Sequence, residues 1–90
     1  MKKGMIDMLA CPIDKNHPLE IYEIKTEQDV IVNGALFCSK CSRFYPIIEE
    51  IPIMLPDELR NKANDIKFLE QWKDNLPSKI VKEGKPWHLE

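Results

Sequence analysis

Ninety residues, 43% hydrophobic and 31% charged, make one small soluble chain near the lower limit at which a core holds without a staple or a partner. A formal net charge of -2 and a pI of about 5.7 exclude an overall field that attracts phosphate backbones, which disfavours direct strong nucleic-acid binding. No stretch approaches the roughly 20 apolar residues of a membrane span, and Asp7 interrupts the run after Lys2 and Lys3 before it can serve as a signal-peptide core, so a cytoplasmic location is expected.

In chain order, Met5, Ile6, Met8 and Leu9 recur at near-helical spacing, which predicts a short helix or turn over residues 3–10, packed by one face and ended by Cys11-Pro12. After a turn at Asp14-Lys15-Asn16-His17-Pro18, Leu19, Ile21, Tyr22 and Ile24 read as a strand. A loop at Thr26-Glu27-Gln28-Asp29 leads to a second strand, Val30 through Cys38. That strand carries Asn33-Gly34, the strongest short hairpin signal. The preceding polar loop already reverses the chain, so the pair is read as a bulge rather than a turn.

The next segment, Cys38 to Leu55, dominates the sequence. Arg43 to Ile48 and Ile51 to Leu55 read as two strands around a Glu49-Glu50 reversal, and from Phe44 to Leu55 these two glutamates are the only charges. A strand with one wet face alternates apolar and polar residues, whereas both faces here are apolar. The expectation is that one face or edge is covered by another protein. Pro46 and Pro52 lack N–H donors and belong at an edge, a strand start or an interruption of the ladder.

Beyond Leu55-Pro56, Asp57 is the expected N-cap of a helix. Leu59, Ala63, Ile66, Leu69, Trp72 and Leu76 form one stripe of an amphipathic helix that can cover a sheet face. Pro77 stops or restarts it, Ser78 to Glu83 add a further turn, and Gly84 is placed as a left-handed cap before an extended tail, Lys85-Pro86-Trp87-His88. Leu89-Glu90 matches a junction that often precedes an affinity tag and carries no weight. The chain is read as one domain, 1–90: a sheet region over 1–56, the amphipathic helix over 57–76 and a C-terminal extension over 77–90.

Three cysteines, an odd count, fit a reducing compartment and a metal or redox role better than a disulfide framework. Cys38-x-x-Cys41 sets two sulfurs on one turn, and zinc needs four donors, two from each of two turns. Cys11 stands where the second turn belongs. Position 14, where the fourth thiol is expected, is Asp, so Cys11, Cys38, Cys41 and Asp14 make a candidate zinc site, with His17, three residues on and more often a surface turn residue, as the alternative fourth ligand. The metal-free alternative keeps Cys11 as a small buried hydrophobe and Cys38 and Cys41 as thiols or a disulfide. A thioredoxin-like role fits less well, because such sites open a helix and this one feeds the strand Arg43-Phe44-Tyr45-Pro46.

Leu9-Ala10-Cys11-Pro12, Leu36-Phe37-Cys38-Ser39-Lys40-Cys41, Phe44-Tyr45-Pro46-Ile47 and Ile51-Pro52-Ile53-Met54-Leu55 together resemble a known family. It is the small zinc-ribbon activator subunit shared by several S-adenosylmethionine-dependent methyltransferases of the translation machinery, in its short archaeal form, with related short bacterial proteins. The resemblance covers the first 56 or so residues. It implies an α+β fold: a zinc-ribbon-like antiparallel sheet with a short N-terminal helix and a C-terminal amphipathic helix. It further implies a non-catalytic partner that docks a strand edge and apolar side chains onto the methyltransferase as a heterodimer, keeps the enzyme soluble and supports its cofactor site. The enzymes so activated modify tRNA, ribosomal RNA or a termination factor. Asp14 departs from the ligand cysteine of many relatives, and Glu49-Glu50 replaces a Gly-containing turn.

The candidate partner-binding residues are Phe44, Tyr45, Ile47, Ile51, Ile53, Met54 and Leu55, some of which must instead face the chain's own core. Trp72 is read as core, and Trp87 either packs back on the domain or inserts into the partner. Lys79, Lys82 and Lys85 form a small basic strip, read as a solvated face. No nucleophile motif, phosphate loop or placed acid–base pair is present, so no enzyme activity is expected. The competing readings are a free-standing zinc-ribbon module that binds nucleic acid and a rubredoxin-like electron carrier, which needs four thiolates around iron.

Overall fold

The computed structural model of the chain describes residues 1–17 and 19–89, with only the backbone described for Ile6 and Asp7; Pro18, at the end of the first predicted turn, and Glu90 lie outside the described residues. A short 3-10 helix, Lys3–Met8, is followed by four strands, β1 (Glu20–Glu27), β2 (Val30–Phe37), β3 (Phe44–Ile48) and β4 (Ile51–Pro52). A 3-10 turn, Asp57–Leu59, then leads to the helices α1 (Lys62–Trp72) and α2 (Ser78–Val81). The strands form one antiparallel sheet in the order β1-β2-β3-β4, so this is the expected α+β fold.

Met5 and Met8 are exposed in the 3-10 helix, Met8 at 81%, while Leu9 packs on the core, so the expected packed face is smaller than its spacing suggests. β1 runs through Glu27 and turns at Gln28-Asp29, tighter than the predicted four-residue loop. Asn33-Gly34 does not reverse the chain. Glu23 pairs with Gly34, Lys25 with Asn33 and Thr26 with Ile31, so the register slips twice and the bulge reading holds. Gly34 is required by proximity: a Cβ there would lie 2.7 Å from the Tyr22 carbonyl oxygen and 3.2 Å from the Ile31 side chain.

Phe44 through Ile47 are all buried, and both sheet faces are covered by the chain's own ends. On one face Tyr45 and Ile47 join Met1, Cys11, Leu19, Ile31, Leu36 and Cys38, with Leu9, Ile21, Cys41 and Met54 packed alongside. On the other, Ala35, Phe37 and Phe44 meet Phe68, Leu69, Leu76, Ile80 and Val81. The expectation that a partner covers a face is therefore corrected, and what stays open is the edge. The two-sided apolar pattern of β3 has the same cause as in any strand sandwiched between two layers.

β4 is one of the two edge strands, β1 being the other, and contains Pro52, opposite Ile47. Pro46 lies in β3, between β2 and β4, yet interrupts nothing. Phe44 N–H points away from β2 to the Lys85 carbonyl, and Pro46, two residues on, directs its missing donor to that same side while its carbonyl accepts from Ile53 N–H at 2.8 Å. The return strand was expected to reach Leu55 but ends at Pro52. Glu49 and Glu50 both take positive φ, 49° and 73°, the pattern of a two-residue hairpin turn. Glycine or asparagine is the usual occupant, so this turn carries local strain. It is tied down by Glu50 N–H bonding the Val32 carbonyl at 2.9 Å and by the Met1 ammonium donating to the Glu50 carbonyl.

The long helix begins later than its stripe suggests. Asn61, not Asp57, is the N-cap, its side chain accepting from Asn64 N–H at 3.0 Å, and α1 ends at Trp72 instead of Leu76. Arg60 breaks the stripe because its extended backbone sends a guanidinium into the core, 1% exposed, against Asp65. Leu59 and Ala63 consequently face water, and Phe68, absent from the predicted stripe, is core. Gly84 has no positive φ; it is small because a Cβ would sit 2.5 Å from the Ile80 carbonyl oxygen. The tail folds back: Lys85 bridges Arg43 in parallel, and Trp87 packs on the helical layer.

Candidate metal centre and docking edge

Two loops built alike meet at one end of the sheet. In the first, Lys15 N–H bonds the Cys11 carbonyl at 2.8 Å, and in the second Ser42 N–H bonds the Cys38 carbonyl at 2.8 Å. The residue closing each loop is left-handed, with φ of 61° at Lys15 and 64° at Ser42. Asp14 therefore occupies in the first loop the place that Cys41 occupies in the second. The donor atoms of Cys11, Asp14, Cys38 and Cys41 all lie within 4.8 Å of one another. His17 is exposed and stands outside this group, so the carboxylate, not the imidazole, completes the set.

The spacing can be tested against a tetrahedral ion. With Zn–S of about 2.3 Å and Zn–O of about 2.0 Å, two thiolates sit roughly 3.8 Å apart and a thiolate and a carboxylate oxygen roughly 3.5 Å apart. Cys11 Sγ and Cys41 Sγ are separated by 3.7 Å, and Cys38 Sγ lies 3.5 Å from an Asp14 carboxylate oxygen. All three cysteines are free, and the separation of Cys11 from Cys41 is far beyond a disulfide bond. The donors fit an ion of this size.

The thiols differ in their electrostatics. Burial pushes the Cys11 thiol up, but hydrogen bonds from Tyr45 and from the N–H groups of Asp14 and Ile13 outweigh it and bring its pKa below the usual value. Burial and the neighbouring sulfurs of Cys38 and Cys11 push Cys41 up to about 11, against hydrogen bonds from Arg43. Asn16 N–H holds the Asp14 carboxyl low. Three sulfurs and a carboxylate this close cannot all carry charge unless a cation sits among them. Around them, Tyr45 OH lies 3.1 Å from Cys11 Sγ and Asn16 Nδ2 donates to Cys38 Sγ at 3.6 Å. Such outer hydrogen bonds orient ligands. Neither Tyr45 nor Asn16 was singled out for this role, and nothing in their spacing marks it.

The second feature is the sheet edge. Of the seven residues expected to bind a partner, Phe44, Tyr45 and Ile47 are wholly buried and belong to the chain's own core. Ile53 and Met54 are half-buried, Met54 against the metal-side cluster, while Ile51 and Leu55 are exposed. Ile48 and Leu59 join them, so the edge presents Ile48, Ile51, Leu55 and Leu59, with Ile51 61% and Leu59 65% exposed. The sequence places Ile48 at the end of a strand and Leu59 on the helix stripe, and marks neither as part of a docking surface. Next to this edge, Arg43 forms a two-pronged ion pair with Asp57 at 2.9 and 2.7 Å, fixing the segment that carries Leu55 and Leu59. The same contact raises the Arg43 pKa and lowers that of Asp57.

The basic strip is not a uniform solvated face. Lys79 pairs with Glu20 and lies 5.3 and 5.1 Å from the ring centroids of Tyr22 and Phe37. Trp72 is half-buried on the helical cluster, and Trp87 donates to Asp65 at 3.0 Å. No helix among the described residues is long and apolar enough to cross a membrane.

Comparison with known proteins adds the following. A family model described as Trm112p-like protein matches residues 2–50. The UPF0434 protein of Dechloromonas aromatica is 34% identical over 65 residues, 72% of this chain and 97% of the relative. That of Ectopseudomonas mendocina is 43% identical over 65 residues, 72% of this chain and 92% of the relative. Among solved structures, the Haloferax volcanii Trm112 methyltransferase activator, in complex with a protein assigned as a methyltransferase, matches with a TM-score of 0.63 and 35% identity, covering 67% of this chain and all of that one. α1, α2 and the tail lie outside the residues of the family match.

Proposed function

Since the chain belongs to the Trm112p-like protein family, we propose that it is a non-catalytic subunit that binds, stabilises and activates S-adenosylmethionine-dependent methyltransferases of the translation machinery, acting on tRNA, ribosomal RNA or a termination factor. It works as one domain and one half of a cytoplasmic heterodimer, without strong nucleic-acid contacts of its own. The observation that carries this reading is the edge of β4, a short strand with exposed Ile51 flanked by Ile48, Leu55 and Leu59. An edge strand offers unpaired N–H and C=O groups that a partner strand satisfies, and alternate side chains set specificity. A stable contact buries about 1,000 Å² or more in total.

Cys11, Cys38, Cys41 and Asp14 would hold zinc. With four protein donors such an ion would have no open position, so it would supply a structural cross-link between the two loops and no Lewis-acid chemistry. Tyr45 and Asn16 keep two of the sulfurs oriented, and Arg43 ties the Cys41 loop to Asp57 and so to the docking segment. The binding partner is then presented with a fixed edge rather than a loose hairpin.

Co-expression with the S-adenosylmethionine-dependent methyltransferases of the source cell tests the proposal. Ile51→Asp, on an exposed side chain, is expected to leave the free chain folded and to abolish co-purification. Wild-type recovery of the enzyme with this variant rules strand docking out.

A further inference from the structure

A groove borders the docking edge, and of the nine residues that line it only Pro46 and Ile48 belong to the family match. Ile53, Leu55 and Leu59 extend it, and the first turn of α1 closes it with Asn64 and Asp65. Its volume is about 180 Å³. An apolar cavity of roughly 150 Å³ suffices to take a benzene ring, so this one suits a single large aliphatic or aromatic side chain.

The second observation is Arg60, which lines the same groove with a side chain 1% exposed. Its Nε donates to Asp65 at 2.9 Å and its Nη1 to the Phe44 carbonyl, while Nη2 is buried without an acceptor among the described residues. A buried N–H left unpaired carries a desolvation cost that an acceptor reaching it recovers. Asp65 already balances the charge, so the fitting acceptor is neutral, and an extended chain supplies one at every residue as a main-chain carbonyl.

Resting on the docking reading above, we infer that the groove between β4 and α1 receives an extended segment of the methyltransferase that inserts one large apolar side chain and turns a carbonyl toward Arg60. Contact with α1 adds selectivity from residues beyond the family match, and the strand edge supplies the register.

The test uses the full chain and the methyltransferase that co-purifies with it, with affinity measured by calorimetry. Asn64 is exposed on α1, and Asn64→Trp fills the groove mouth without entering the core; the expected result is at least tenfold weaker binding with unchanged thermal unfolding of the free chain. Glu70→Trp, on the exposed surface of the same helix, is expected to bind as wild type. In the complex, the Arg60 guanidinium ¹⁵N resonances are expected to shift and exchange more slowly with water. Wild-type affinity for Asn64→Trp, or Arg60 resonances unchanged by the enzyme, overturns the inference. If Ile51→Asp abolishes binding while Asn64→Trp leaves it intact, only the groove is removed; if neither weakens binding, the docking reading falls with it.

Discussion

Replacing Asp65 with alanine perturbs a charge the structure has taken out of water. Asp65 is 5% exposed and accepts from Arg60 Nε at 2.9 Å and from Trp87 Nε1 at 3.0 Å. The Arg60 guanidinium is in turn held over the Phe44 and Tyr45 rings, 4.8 and 5.3 Å from their centroids. Asp65→Ala leaves that guanidinium buried and uncompensated and frees the Trp87 indole, so the cost is that of breaking a buried pair, about 3–5 kcal/mol. A chain of this size is stable by roughly 5–13 kcal/mol in total, so the loss takes a large share of it. At about 4–8 °C per kcal/mol, the thermal midpoint falls by roughly 12–40 °C. Thermal and urea unfolding followed by Trp fluorescence measure the shift and the free energy, and Arg60→Met combined with Asp65→Leu is expected to recover most of the loss, because two apolar residues need no partner. A single variant within about 1 kcal/mol of wild type, or a double variant no better than the single one, refutes the reasoning.

Gly34→Ala forces a methyl to 2.7 Å from a backbone oxygen that cannot swing away, and about 1–3 kcal/mol of stability is expected to go, read from the urea midpoint. Asp14→Ala is expected to lose zinc to a chelator at concentrations where wild type retains it, and Asp14→Cys to retain it longer; equal retention by all three, measured by native mass spectrometry, argues against Asp14 as a ligand. Lys79 and Tyr22 hold the Glu20 carboxyl below its ordinary value. Its folded pKa is thus depressed, so the pair's contribution is complete above the unfolded carboxylate value of about 4.3 and disappears as pH falls through the lower folded value. Lys79→Met is therefore expected to flatten the acid side of the stability profile below about pH 4, and an unchanged slope there contradicts this.

Local chemistry was legible where it is decided locally. The Cys38-x-x-Cys41 turn, the Asn33-Gly34 bulge and Pro52 on an edge strand follow from backbone rules that act over a few residues, and the structure carries each of them. What escaped was decided by distant packing. The start of α1 depends on Arg60 turning inward to meet Asp65 and Phe44, and no stripe of apolar residues announces a buried cation. Phe44, Tyr45 and Ile47 look like an uncovered surface because the sequence does not say that the N-terminal segment and cysteine loops cover one face and α1 and α2 the other. Gly84 was read through φ when its requirement is closeness to Ile80. At the site, the motif places the Cys11 loop and puts Asp14 ahead of His17, and the matching geometry of the two loops adds that Asp14 stands where Cys41 stands in the other.

The most direct test of the docking edge is amide hydrogen exchange on the full chain, alone and bound to its methyltransferase. Protection gained on binding at the amides of Met54 and Leu55, with the α2 surface unchanged, is the predicted result. Protection confined to α2 and the tail, with the amides of Met54 and Leu55 exchanging as fast as in the free chain, contradicts it.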